Sequence, residues 1–217
     1  QALGGRTVAR DASGSYGRGY EYGARDLVSS VSNLGPEGKP TIDRTGLAVQ
    51  TREYTPNGDL SRVVFTDPVG VMVENEKLFA GVRFDRDDRE RLIRLTFLDR
   101  AGNATLNTQD GIAATSYGYD QRGNIVEARY FGVDGQPARY RPWGLEGASW
   151  SYDARGDYIS VRFLNGSGEP ALRSDRRIAR TDFAYDANRR ITEHRHFGLT
   201  GEPAVRADWN VAREIWT

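Results

Sequence analysis

Residues 117–137, YGYDQRGNIVEARYFGVDGQP, align without a gap on 150–170, WSYDARGDYISVRFLNGSGEP, and on 183–203, FAYDANRRITEHRHFGLTGEP. Tyr119, Tyr152 and Tyr185 recur at one constant interval, and the same interval separates Gly102, Gly135, Gly168 and Gly201, and Pro137, Pro170 and Pro203. Independent columns in one register mark a tandem repeat, and the period comes before any element assignment because each repeat is one structural unit. Weaker copies fill the first half. LGPEGKP at 34–40 matches the glycine-proline segment, Tyr22 and Tyr54 continue the tyrosine column, and Ala48, Ala80, Ala113, Ala179 and Ala212 form another near-regular column. The chain divides into about six units with a period of about 33 residues, in the range of known repeat arrays. Their hairpins begin near Tyr20, Arg52, Arg83, Tyr117, Trp150 and Phe183. The third, RFDRDDRERLIRLTFLDRAGN, reads as having a lengthened acidic turn and lacks the proline. The terminal REIWT places Trp216 one full period after Phe183, as a strand of the next unit that closes the array.

Each unit reads as strand, turn, strand, turn, connector. The alternating aromatics of YGYD, WSYD and FAYD suit a strand with one buried face. In the following Asp-x-x-Gly, the aspartate bonds backbone two residues on and the glycine takes the positive φ that other residues resist. After a second strand such as IVEARYF, Gly-x-x-Gly-x-Pro permits a tight reversal and its proline stops ladder pairing. Connectors such as ARYRPWGLEG at 138–147 are expected to be irregular or to hold a short turn of helix. A lone hairpin is marginal in water, so neighbouring units must stack. The expected fold is all-β: tandem hairpins forming an elongated twisted sheet or an open β-solenoid. Residues 1–19 are expected as an N-terminal tail or cap, and 20–217 as a single repeat domain.

On the second strand, Ile125, Glu127, Arg129 and Phe131 share one face and Val126, Ala128 and Tyr130 the other, which suits a thin layer partly covered by connectors. The core Y-x-Y-D-x-x-G in YGYDQRGNI (117–125) and YDARGDY (152–158) resembles that of the bacterial tyrosine-aspartate (YD/RHS-like) repeat proteins. More loosely, the units are similar to MORN-type hairpin repeats. The resemblance covers about a third of each unit, which adds the Gly-x-x-Gly-x-Pro half. It implies hairpin architecture and a binding or scaffolding habit, with no catalytic residue among the matched positions. Large members of that family form shells around toxin domains, and six units are too few to enclose anything.

Composition narrows the function. Lys plus Arg and Asp plus Glu both number 30, so no net positive field draws in polyanions, and nucleic acid is not an expected partner. The most apolar stretch, VVFTDPVGVMV at 63–73, is broken by Asp67 and Pro68 and is too short to span a bilayer. The absence of cysteine removes disulfides, thiolate metal sites and thiol nucleophiles. Numbering opens at Gln1 rather than Met, which is read as favouring a periplasmic or extracellular setting.

The repeat register constrains the residues that could carry chemistry. His194 and His196 alternate on a strand as two metal ligands would, but they occupy the columns of Ala128 and Val161 and of Tyr130 and Phe163, which points to packing. DRDDRE at 85–90 lacks the sixth-position glycine and distal glutamate of a calcium loop and reads as a solvated turn. Carboxylates such as Glu127 and Glu193 sit at repeated strand positions beside arginines. No isolated pair for acid–base work, nucleophile elbow, phosphate loop or dinucleotide fingerprint appears, so no enzyme and no cofactor is expected. Trp150 and Trp216 share an always-aromatic column with Tyr117 and Phe183 and are expected in the core. Trp143, Arg176 and Trp209 share a column that tolerates arginine. They read either as partner-facing, since Trp and Arg dominate binding hot spots, or as connector packing over the sheet. Arg129, Arg162 and Arg195 form a third column, either an arginine stripe meeting a partner or solvated and paired charges.

The expected function is a non-enzymatic repeat scaffold or accessory subunit mediating protein–protein interaction, docked on a larger membrane-associated complex without itself spanning the membrane. The alternative is a glycan or cell-wall binding module, because exposed aromatics on β-repeats can stack on sugar rings.

Overall fold

The computed structural model describes residues 14–216. Most of the expected tail at 1–19 lies outside the described residues; within it, the first strand already begins at Gly17. Strand order is the sequence order: β1 (Gly17–Tyr22), β2 (Val28–Leu34), β3 (Val49–Tyr54), β4 (Leu60–Thr66), β5 (Gly81–Arg86), β6 (Leu92–Leu98), β7 (Ala114–Tyr119), β8 (Ile125–Phe131), β9 (Gly147–Tyr152), β10 (Tyr158–Leu164), β11 (Arg180–Tyr185), β12 (Ile191–Phe197) and β13 (Arg213–Ile215). β1 pairs only with β2, and β13 only with β12. Ala24–Asp26, in the first hairpin, is a tight turn through left-handed Arg25 (φ 61°) and Asp26 (φ 55°). The connectors, expected to be irregular or to hold a short turn of helix, are hydrogen-bonded turns that each close a single i→i+4 bond, Gly144 N to Tyr140 O, Arg177 N to Arg173 O and Asn210 N to Arg206 O. No helix among the described residues is long and apolar enough to cross a membrane.

Two compact units are present: Gln1–Asp85 with Leu95–Thr108, and Arg86–Arg94 with Gln109–Thr217. In the first, β1 to β5 pair antiparallel in chain order. Phe65, Phe79 and Phe97 run ring to ring at 5.8 and 4.8 Å, and Ala48 and Ala80 are fully buried. In the second, β7 to β13 pair likewise. Leu145, Ala148, Phe163 and Ile178 form its central cluster, with Trp143, Trp150 and Val161 packed against it. Ala113 and Ala179 continue the buried alanine column, where close packing leaves no room for a larger side chain.

The hairpin turns show why aspartate recurs. Asp120 Oδ1 accepts the Arg122 and Asn124 amides, and Asp153 and Asp186 do the same at their own turns. Asp87 accepts from Arg89 and Arg91, so the third turn has the same length as the others; the lengthening read from DRDDRE is only a surplus of charge. The turn needs a left-handed residue, which is glycine at 123 and 156 but Glu90 (φ 59°) and Arg189 (φ 63°) elsewhere.

The tyrosine column clamps successive hairpins. Tyr119 Oη donates to Leu92 O at 2.7 Å, Tyr152 to Ile125 O at 2.8 Å and Tyr185 to Tyr158 O at 2.8 Å; in the first unit Tyr54 donates to Val28 O at 2.7 Å. A register shift falls at Tyr54, Tyr119 and Tyr185, a bulge that re-aims the ring toward the preceding hairpin.

Candidate functional site

The two faces of the second unit differ in chemistry. Ala148 pairs with Phe163, Trp150 with Val161, Thr181 with His196 and Phe183 with His194, so alternation puts these residues on one aromatic face. Ser116 pairs with Arg129, Ser149 with Arg162 and Asp182 with Arg195, on the other. The expected arginine column therefore lies on the opposite face from the residues that pack under Trp143. Its members are paired or solvated. Arg129 bonds Glu127 and Asn165 O, Arg195 lies 3.7 Å from Glu193, and Arg162 is exposed.

Connectors cover the aromatic face. Each is closed end to end by the same backbone bond, Tyr140 N to Leu145 O, Arg173 N to Ile178 O and Arg206 N to Val211 O. Each also bonds the next: Arg141 N to Asp110 O, Ser174 N to Trp143 O and Ala207 N to Arg176 O, at 2.8, 2.9 and 2.9 Å. The stacking is tight enough that a Cβ on Gly144 (φ 68°) would lie 2.9 Å from Ser174 Cβ. The same left-handed position is filled by Arg177 and Asn210 in the following connectors.

This stacking separates the three residues of the candidate partner-binding column. Trp143 is half-buried against the core cluster, edge-on to Tyr140 at 5.3 Å. Trp209 is 61% exposed and lies under the Arg206 guanidinium, 4.1 Å from ring centroid to Cζ. Arg176 is half-buried between Asp208 at 3.4 Å and Asp175 at 3.8 Å, and its buried Nε has no hydrogen-bond partner. Burial, together with neighbouring Arg173 and Arg206, lowers its pKa. Of the other tryptophan column, Trp150 packs against the core, whereas Trp216, expected in the core, is 44% exposed because β13 pairs only with β12.

A second connector column organises the site, and the sequence reading missed it. Arg173 and Arg206, one period apart with Tyr140 one period earlier, are 8% and 3% exposed. Each grips the aspartate two residues on through two bonds, Arg173 to Asp175 at 2.8 and 2.5 Å and Arg206 to Asp208 at 2.9 and 2.6 Å. Arg206 adds a 3.0 Å bond to Glu214, and its hydrogen bonds push the Asp208 carboxyl down to about 2. Arg173 stacks over Trp143 at 4.9 Å and Phe163 at 5.2 Å. The available signal was RSDR at 173–176 against RADW at 206–209, hidden because a buried arginine looks in sequence like any surface charge.

The histidines pack as the register implied. His196 is 2% exposed, with Nδ1 3.0 Å from Thr181 Oγ1 and Nε2 3.1 Å from Glu214. His194 stacks edge-on to Phe183 and Trp216 and lies 3.4 Å from Glu214. Burial pulls both imidazoles below their ordinary pKa, keeping them neutral near pH 7. No group of His, Cys, Asp and Glu suited to a metal ion occurs among the described residues. Between the connectors and the aromatic face lies a cleft of about 320 Å³, with Trp143, Trp150, Tyr158, Phe183, His194 and the guanidinium-bearing Arg173, Arg176 and Arg206 on its walls.

No family model matches the chain, and no curated protein matches it. Among solved structures, the crystal structure of TcdB2-TccC3 is similar over 90% of this chain and 10% of that one, at 16% identity and a TM-score of 0.42. The Photorhabdus luminescens Tc holotoxin pore is similar over 84% of this chain and 9% of that one, at 16% identity and a TM-score of 0.40. The chain thus spans at most a tenth of the length of these two proteins.

Proposed function

We propose that this chain is a non-enzymatic repeat scaffold or accessory subunit that docks a protein partner through the connector side of its second unit, as a component of a larger membrane-associated complex. The supporting observation is Trp209. An indole 61% exposed is normally free to move, yet this one rests on a guanidinium that is itself buried and fixed by Asp208 and Glu214. A large apolar surface held in place before binding loses little conformational freedom on association, which is the physical basis of an aromatic hot spot.

The test is co-purification from native extracts on immobilised wild-type protein and on Trp209→Ala. A partner protein should be retained by the wild type and held at least about thirtyfold more weakly by the variant, equivalent to about 2 kcal/mol. Recovery of free monomer alone would refute the docking role. A glycan-array signal abolished by Trp209→Ala would move the function to sugar binding.

A further inference from the structure

The cleft of the second unit has a feature that the Trp209 surface does not share: every formal charge on its walls is positive. Arg173, Arg176 and Arg206 line it and no aspartate or glutamate does. Asp175, Asp208 and Glu214 bond to these arginines without contributing to the walls. Arg173 and Arg206 are committed to those carboxylates in bidentate pairs, which fixes them as structure. Arg176 is different, since its nearest carboxylate oxygens are 3.4 and 3.8 Å away and its buried Nε–H donates to nothing. Leaving a buried charged donor unsatisfied is costly, and an incoming acceptor removes that cost. The remaining walls are mostly aromatic, Trp143, Trp150, Tyr158 and Phe183 among them, with Thr181, His194 and His196 as their polar members.

We propose that this cleft is a binding site for a carboxylate carried on a flat apolar body, with Arg176 donating to the carboxylate and Trp143, Trp150 and Phe183 enclosing the ring. One guanidinium whose carboxylates lie at ion-pair rather than hydrogen-bond distance, beside two that are fully hydrogen-bonded, suits a monoanion rather than a phosphate dianion. About 320 Å³ is small for a drug-sized ligand and fits an aromatic acid or the aromatic terminal residue of a peptide. Burial lowers the pKa of the two histidines that line the cleft, which disfavours a further positive charge there. The site does not depend on docking at Trp209, which does not line the cleft.

The probe is 3-phenylpropionate, titrated by calorimetry into the full chain beside its uncharged amide. The acid should bind saturably in the ~0.1–1 mM range of a fragment this small, and the amide at least about tenfold more weakly. Arg176→Gln should erase the preference for acid over amide. Arg176→Trp, which installs the residue that aligned connectors carry at 143 and 209, should do the same in a variant whose fold the repeat already tolerates. Arg129→Gln, on the opposite face, should leave binding unchanged. A short peptide ending in phenylalanine separates the two sources of the ligand: tighter binding than the free acid identifies a chain terminus, equal binding a small aromatic acid. The proposal is overturned if acid and amide bind alike, if neither binds, if Arg176→Gln keeps the preference in a folded protein, or if N-acetylglucosamine binds in the cleft and the acid does not. Loss of partner capture in Trp209→Ala with acid binding intact would show that the two sites are separate.

Discussion

Removing the Tyr152 hydroxyl isolates the clamp between successive hairpins. Tyr152 Oη donates to Ile125 O at 2.8 Å, and burial raises the phenol's pKa. Tyr152→Phe keeps the ring and leaves Ile125 O without this donor, so the expected loss is that of one partly buried hydrogen bond, about 1 kcal/mol. Tyr152→Ala also removes the ring. A fully interior aromatic buries roughly 150–250 Å², and half of that at about 25 cal/mol per Å² is about 2.5 kcal/mol. With the hydrogen bond, the alanine variant should lose about 3–4 kcal/mol. Urea unfolding followed by tryptophan fluorescence measures both, read as a shift in midpoint at constant m-value. Tyr119 makes the equivalent bond to Leu92 O, so Tyr119→Phe with Tyr152→Phe should lose close to the sum of the single losses. If both phenylalanine variants unfold within about 0.3 kcal/mol of wild type, the phenols do not tie the hairpins together and stacking rests on the rings alone.

The tryptophan column should split by depth. Trp143→Ala, against the core, should lose about 3 kcal/mol or more, while Trp209→Ala should stay within about 0.5 kcal/mol; equal losses in thermal unfolding would contradict the packing described. Arg177 holds φ 55° where Gly144 serves in the preceding connector, so Arg177→Gly should be neutral to about 1 kcal/mol stabilising, and a clear lowering of the unfolding midpoint would show that its side chain matters. Stability should fall on acidification below about pH 6.5, because burial lowers the pKa of His194 and His196 and the unfolded chain binds protons first there. Urea midpoints at pH 7.5 and 5.5 test the sign. His196→Phe, which writes in the residue that Phe163 supplies one period earlier, should flatten the dependence, and a wild type more stable at pH 5.5 would refute it.

Much of the architecture is written in the chain because it depends on local chemistry repeated at one interval. Strand alternation, the aspartate that caps the third to sixth hairpin turns, the glycines at positive φ and the proline that follows most second strands act within a few residues of themselves. Spacing alone therefore placed the hairpins, the alanine column and the packing role of His194 and His196. Where local chemistry misled, it did so through charge: DRDDRE is rich in acid but forms a turn of ordinary length, because Asp87 alone caps it.

The cleft could not be read this way. Tertiary structure decided that the Arg129, Arg162 and Arg195 column lies on the opposite face from the connectors. It also decided that Trp143 is packed while Trp209 is exposed, and that Trp216 is left partly uncovered. Residues sharing a repeat column have the same backbone position but different neighbours, and burial is a property of neighbours. Arg173 and Arg206 make the point most directly. By composition they are two of 30 basic residues, each within reach of the aspartate two positions on, and only the stacking of one connector on the next buries them and leaves Arg176 between them with a donor unspent.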